Sequence, residues 1–211
     1  NDVVRFRQHE QHPIVLPFFG IWTISQGHDG EHTHKEEYRH AWDFVITDTE
    51  KRQYMGSGDL ATDYYCYDKM VLAPADGTVV FVEDRIPDNV IGEVNLKNNW
   101  GNTVVIRHAD HLYTSLSHLK EGSVKVKEGD SVKEGEEIGR CGNSGRSPYP
   151  HLHFQVQGNP YAGSVTMEYP FSYYILHLED HFELKSFRIP SAGDQVSNID
   201  QNELLHKAFH F

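Results

Sequence analysis

Four short stretches constrain this chain most: GTVVFVE (77–83), NTVVIRH (102–108), HLYTSLSHL (111–119) and HLHFQV (151–156). Each is rich in β-branched or aromatic residues, and each is bounded by Gly, Pro, Asn or Asp, the signature of strands cut by turns. Strands this short joined by tight turns pair antiparallel, and HADHL (108–112) reads as the turn of a hairpin. In VKEGDSVKEGEEIG (126–139), Gly129 and Gly135 mark two further points where the chain doubles back. Helical periodicity is weak; NELLHKAF (202–209) alone has the apolar spacing of a short C-terminal helix. The expected fold class is all-β, an antiparallel sheet structure with little helix. No repeat, low-complexity tract or linker divides the sequence, so residues 1–211 are expected to form one domain.

The net charge of −12, with Lys and Arg scattered along the chain, argues against nucleic acid as a partner. The longest apolar stretch, PIVLPFFGIWTI, is broken by proline and glycine and falls short of the roughly 20 residues a membrane span needs. A chain that begins at Asn1 without a basic-then-apolar leader reads as a processed or trimmed product. Cys66 and Cys141 can pair only if the fold brings them together. Fifteen histidines are many for this length and direct attention to metal ligation.

In PYPHLHFQV (149–157), His151 and His153 fall at i and i+2 of a strand pattern, so their imidazoles share one face at a Cα separation of roughly 6.5 Å. That face is either solvent or a site. Several hydrolase signatures are absent. HEQH (9–12) lacks the HExxH spacing, GNSG (142–145) is not a GxSxG elbow, and there is no CxxC pair. What remains is Asp43 in HAWDFV, His118 in SLSHL and the His151/His153 pair.

The blocks SQGHDGEHTHKEEYRHAWDF, APADGTVVFVED, GNTVVIRHADHLYTSLSHL and VKVKEGDSVKEGEEIGRCGNSGRSPYPHLHFQV follow one another between residues 24 and 157. In that order they resemble the lysostaphin-type (LytM-like) zinc metalloendopeptidases. The resemblance implies an antiparallel two-sheet fold with an open substrate groove, a Zn2+ held by a His, an Asp and the second His of HxH, and hydrolysis of peptidoglycan peptides outside the cytoplasm, in the periplasm or as a secreted protein. Carried onto this chain, the metal ligands are His34, Asp43 and His153, and the catalytic residues are His118 and His151. That set is chemically coherent: three protein ligands leave a fourth position for water, and neighbouring imidazoles can move protons and steady developing charge.

The first ligand is the least direct. Four residues before Asp43, where a short HxxxD signature would place a histidine, stands Arg39, which cannot ligate. His40 lies three before the aspartate, on the opposite face of a regular strand, and could reach the metal only through a bulge. His34, nine before, matches a branch of the family in which the histidine opens a loop ahead of an aromatic-rich strand. His34 is therefore taken as the ligand, with His32 and His40 as rivals and His40 expected to contribute packing.

His108 and His111 are read as structural, and His9, His12, His28, His177, His181, His206 and His210 as surface or local hydrogen-bonding residues. Cys141 is read as a small packed residue, and Asp76 and Asp130 as turn residues. Relative to the resemblance, residues 47–70, including DYYCYD, are an insertion that either walls the groove or packs on the surface. Residues 158–211 are an extension expected to add to the sheet or pack on it. The leading expectation is a zinc endopeptidase with a peptidoglycan peptide as partner. The alternatives are an inactive metal-binding domain that recruits or activates a partner cell-wall hydrolase, and a lipoyl-like carrier module, which would leave the histidines without a purpose.

Overall fold

A computed structural model describes residues 11–199. It contains twelve strands: β1 (Trp22–Gln26), β2 (Ala41–Val45), β3 (Met70–Leu72), β4 (Gly77–Glu83), β5 (Asn102–Ala109), β6 (Leu112–Leu119), β7 (Ser131–Val132), β8 (Glu137–Arg140), β9 (Leu152–Gln157), β10 (Phe171–His177), β11 (Phe182–Arg188) and β12 (Gln195–Ser197). Ten of them form one sheet in the order β11-β10-β12-β1-β2-β9-β6-β5-β4-β7, and β3 pairs with β8 in a second. Each pairing is antiparallel. The all-β expectation therefore holds. The expected helix at 202–209 lies outside the described residues.

The four sequence stretches become β4, β5, β6 and β9, and HADHL forms the β5–β6 hairpin, with His111 in the left-handed region at φ 58°. The 126–139 stretch behaves differently from a self-contained hairpin. Gly129 and Gly135 do turn the chain at φ 92° and 80°, but β7 pairs with β4 while β8 pairs with β3. Burying Val132 and Ile138 in the common core outweighs pairing the two short strands with each other.

One face of the large sheet is core. Alternation along β2 sends Trp42 and Phe44 inward, and along β9 it sends Leu152, Phe154 and Val156 the same way. Trp42 packs against Phe171 with ring centroids 4.9 Å apart and donates its indole N–H to the Pro190 carbonyl at 3.1 Å. The apolar stretch that is too short for a membrane supplies Ile14, Leu16 and Phe18 to this core, with Phe18 stacked on Trp22 at 4.7 Å. Among the described residues no helix is long and apolar enough to cross a membrane.

The C-terminal extension does extend the sheet, with β12 hydrogen-bonded to β1 and carrying β10 and β11 outward. The opposite outcome could be imagined for the insertion, yet it serves both expected purposes. Tyr64 lies against Tyr149 with centroids 6.1 Å apart, the Cys66 thiol donates to the Pro150 carbonyl at 3.1 Å, and Gln53 reaches the groove wall. Cys66 and Cys141 are free and buried.

Candidate metal centre and groove

The second face of the sheet carries the polar residues. β2 and β9 are neighbours with Asp43 directly opposite His153, and β6 lies on the other side of β9 with Ser117 opposite His153. A register irregularity at Ser25 in β1 brings Gln26 opposite Asp43 instead of leaving it one position out. The result is a groove of about 540 Å³ whose floor includes Gln26, His34, Asp43, His118, His151 and His153.

His34 does not sit on a strand. It arrives on the excursion between β1 and β2, is fully buried, and lies with Nε2 3.3 Å from Asp43 Oδ1. His153 Nδ1 lies 2.8 Å from the same oxygen. His34, Asp43 and His153 thus offer ligand atoms within 4.8 Å of one another. His40 and His32 do not join this group; His40 instead lies beside His28, their ring centroids 5.0 Å apart. The expectation that His28 is a surface or local hydrogen-bonding residue fails, because its ring packs on Trp42 at 4.2 Å.

The hydrogen bonds behind these ligands reveal what the cluster lacks. His34 Nδ1 is 2.8 Å from the Gly27 carbonyl, an acceptor, so Nδ1 carries the proton and the buried, unpartnered Nε2 presents its lone pair. His153 Nε2 is 3.0 Å from Gln155 Oε1. The Gln155 amide N–H groups are already donated to Gln157 Oε1 at 2.7 Å and the Ser164 carbonyl at 2.9 Å, so its oxygen must accept from His153 Nε2–H. His153 Nδ1 is then a lone pair too. Asp43 Oδ2 accepts from Gln26 Nε2 at 2.9 Å, which leaves Oδ1 facing both imidazoles. The three ligand atoms lie within 4.8 Å of one another, a donor set that could hold a cation.

Gln26, Gln155 and Gln157 were not singled out in the sequence, where a strand glutamine reads as a solvent-facing alternate. The signal was the continuation of the histidine face, H-L-H-F-Q-V-Q, at the same two-residue period. Gln155 and Gln157 are fully buried. A Gln155→Met variant is expected to weaken metal binding 10–100-fold by releasing the His153 tautomer. Competition with a chromophoric chelator measures that loss.

His118 reaches the groove against strand parity. Ser117 is the β6 residue on the groove face, so a regular strand would turn His118 toward the core. Its backbone instead adopts φ 62°, a left-handed conformation costing on the order of 1–3 kcal/mol that re-aims the ring, so that it lies 4.8 Å from the ring of His151. His118 Nδ1–H donates to the Ser144 carbonyl at 2.8 Å. That carbonyl is held by a close loop contact: a Cβ on Gly101 would lie 2.5 Å from Ser144 backbone atoms, and Gly101 has φ 61°. His151 Nδ1–H donates to the Tyr149 carbonyl at 2.9 Å, and its Nε2 faces Asp43 Oδ1 at 3.6 Å. Both rings therefore turn Nε2, a proton acceptor, toward the groove. Burial is the main cause that lowers His151 and takes His118 well below the usual histidine range, so both are neutral at neutral pH.

Among the residues read as structural or turn residues, His108, Asp76 and Asp130 behave accordingly, while His9, His206 and His210 lie outside the described residues. His108 bridges the Asp76 carbonyl and Thr114, each at 2.8 Å, and Asp76 pairs with Lys133. Asp130 accepts from the Lys127 amide within its own turn.

Fold and groove define an all-β domain with a histidine and carboxylate cluster in an open groove, and residues 59–163 match peptidase family M23. The chain carries a peptidase M23 domain of the LytM/lysostaphin type. Among curated proteins it is 32% identical over 90 residues to the cell division protein DipM of Caulobacter vibrioides, covering 43% of this chain and 13% of that protein. It is 43% identical over 72 residues to the DD-carboxypeptidase/endopeptidase Mpg of Neisseria meningitidis, covering 34% and 16%. The matched stretch thus spans about a sixth or less of these relatives' length. Among solved structures, the catalytic domain of the prophage-encoded M23 protein EnpA from Enterococcus faecalis aligns with a TM-score of 0.48 at 20% identity, over 72% of this chain and 92% of that one. His34 and Asp43 lie outside the stretch that matches the family.

Proposed function

We propose that this chain is a zinc-dependent endopeptidase that hydrolyses peptide bonds in bacterial peptidoglycan stems or cross-links, and that it works outside the cytoplasm. One observation carries the reading: three ligand atoms, from His34, Asp43 and His153, lie within 4.8 Å of one another on the floor of an open groove beside two further imidazoles whose Nε2 atoms face the same space. The relatives named for endopeptidase activity on peptidoglycan, such as the DD-endopeptidase ShyA of Vibrio cholerae, supply the substrate class. In this reading the described strands form one metallopeptidase domain, with 47–70 as an insertion and the segment after 157 as its extension.

His34, Asp43 and His153 would hold the ion, a donor set of two imidazoles and one carboxylate that suits zinc. Bound there, zinc supplies Lewis acidity and lowers the pKa of water to about 7. The chain supplies the rest. His151, neutral and anchored through Nδ1, accepts a proton at Nε2 and returns it to the leaving amine. His118, fixed by the Ser144 carbonyl, can take up a proton at Nε2 and, once protonated there, donate to the scissile carbonyl oxygen as charge develops on it. Trp100, 5.3 Å from the His153 ring, and Tyr38, 5.8 Å from Trp100, form an apolar wall against which an extended peptide can lie.

Replacement of His34 tests the assignment most sharply, because His40 is its sequence rival. The His34→Ala variant is expected to lose the groove zinc and the release of soluble peptides from purified sacculi. The His40→Ala variant is expected to hydrolyse within a few-fold of wild type. Loss of the groove zinc and of hydrolysis in His40→Ala, with both retained in His34→Ala, would reverse the choice of ligand.

A further inference from the structure

A second cluster lies away from the groove. One ring nitrogen each from His28 and His40 and a carboxylate oxygen of Glu168 lie within 4.8 Å of one another. None of the three lines the groove. His28 Nε2 and His40 Nδ1 are both buried and have no hydrogen-bond partner, an arrangement that folded proteins avoid unless a further group completes it. Water-filled surroundings would satisfy them, but both atoms are shielded by protein.

The backbone around the cluster is already fixed. The His40 amide donates to Thr166 Oγ1 at 3.0 Å, and both the amide and the hydroxyl of Thr166 donate to the Glu37 carbonyl, at 2.8 and 3.0 Å. The His28 ring is held by its contact with Trp42. Arg39, next to His40 in the chain, is engaged by Asp29 at 2.7 Å. The two histidines are therefore presented, not merely adjacent, and the acid opposite them is free to close.

We propose that His28, His40 and Glu168 form a second zinc site, separate from the groove, that fastens the excursion between β1 and β2 to the segment following β9. Two imidazoles and a carboxylate suit zinc better than the hard, oxygen-loving cations, and three protein ligands leave one position for water. Tetrahedral ligands at about 2.0–2.1 Å from zinc lie about 3.3 Å from one another, so the cluster must contract by about 1.5 Å at most. Glu168 is exposed and makes that movement. His40, which the sequence reading left to packing, acquires a function here. The consequence for the groove is positional: His34 rides on the fastened excursion.

Metal-stripped full-length chain titrated with zinc, then counted by elemental analysis and checked by Co2+ absorption, tests the proposal. Wild type is expected to bind two equivalents. Glu168→Ala and His28→Ala should each bind one, Asp43→Ala should also bind one, and the double variant Asp43→Ala/Glu168→Ala none. Glu168 is exposed, so its variant tests the site without endangering the fold. Zinc content unchanged from wild type in both Glu168→Ala and His28→Ala, whether wild type binds one equivalent or two, overturns the second site. Because the count does not depend on hydrolysis, it stands apart from the fate of the groove assignment.

Discussion

Asp43→Ala is expected to bind one zinc fewer per chain than wild type and to release no measurable peptide from sacculi. Asp43 Oδ1 is the point that both ligand imidazoles face, at 3.3 and 2.8 Å, while Gln26 holds Oδ2 and with it the plane of the carboxylate. Without the carboxylate, two neutral nitrogens remain, with no anion to offset the charge of a dication. His153→Ala should behave alike, since it removes a ligand and leaves Gln155 without its imidazole partner. The loss should also appear in thermal stability. A ligand present at a hundred times its dissociation constant stabilises the native state by about 2.7 kcal/mol, so groove-bound zinc should raise the wild-type midpoint and lose that effect in either variant. Elemental analysis showing full zinc in both would sink the assignment.

His118→Ala and His151→Ala should separate proton handling from metal binding. Neither ring supplies an atom to the His34, Asp43 and His153 group, and each is anchored through Nδ1 with Nε2 turned to the groove. Both variants are expected to keep the groove zinc and to lose activity by a factor on the order of 10² to 10⁴. His118→Ala is the more informative of the two. Its backbone holds φ 62°, which alanine accepts less readily than histidine, so a small loss of stability should accompany the loss of rate. Zinc falling in parallel with activity would mean that the two histidines are ligands.

The legible parts of this molecule are those where a local pattern and a global need coincide. Strands β4, β5, β6 and β9 announce themselves because β-branched runs end at turn residues, and the same alternation puts His151 and His153 on one face. The convergence of Asp43 with His153 was readable from the resemblance, and the β2–β9 register brings the two opposite. His118 was less so. Parity assigns it to the core, and only its left-handed backbone turns it outward, a property that no spacing rule encodes. Gln26 depends on a register irregularity in β1, and Gln155 on a tautomer requirement that exists only once His153 has a task. The pairing of β7 with β4 and β8 with β3 was hidden because long-range burial of Val132 and Ile138 decides it. The C-terminal extension was expected to add to the sheet or pack on it, without strand bounds; β11 alternates between exposed and half-buried positions, a pattern that fixes no bounds.

Asp43 and His153 touch across neighbouring strands, yet 110 positions of chain separate them. A polypeptide that emerges from its N-terminus therefore offers Asp43 to water long before the strand that completes the pair exists. Until β9 docks between β2 and β6, the carboxylate is an ordinary solvated acid and the histidines are ordinary bases, with no geometry to concentrate a metal. A fragment restricted to 59–163 would keep His118, His151 and His153 but contain neither Asp43 nor His34. The cluster thus cannot form before β9 has been made, whereas β10, β11 and β12, which follow it in the chain, add to the far side of the sheet.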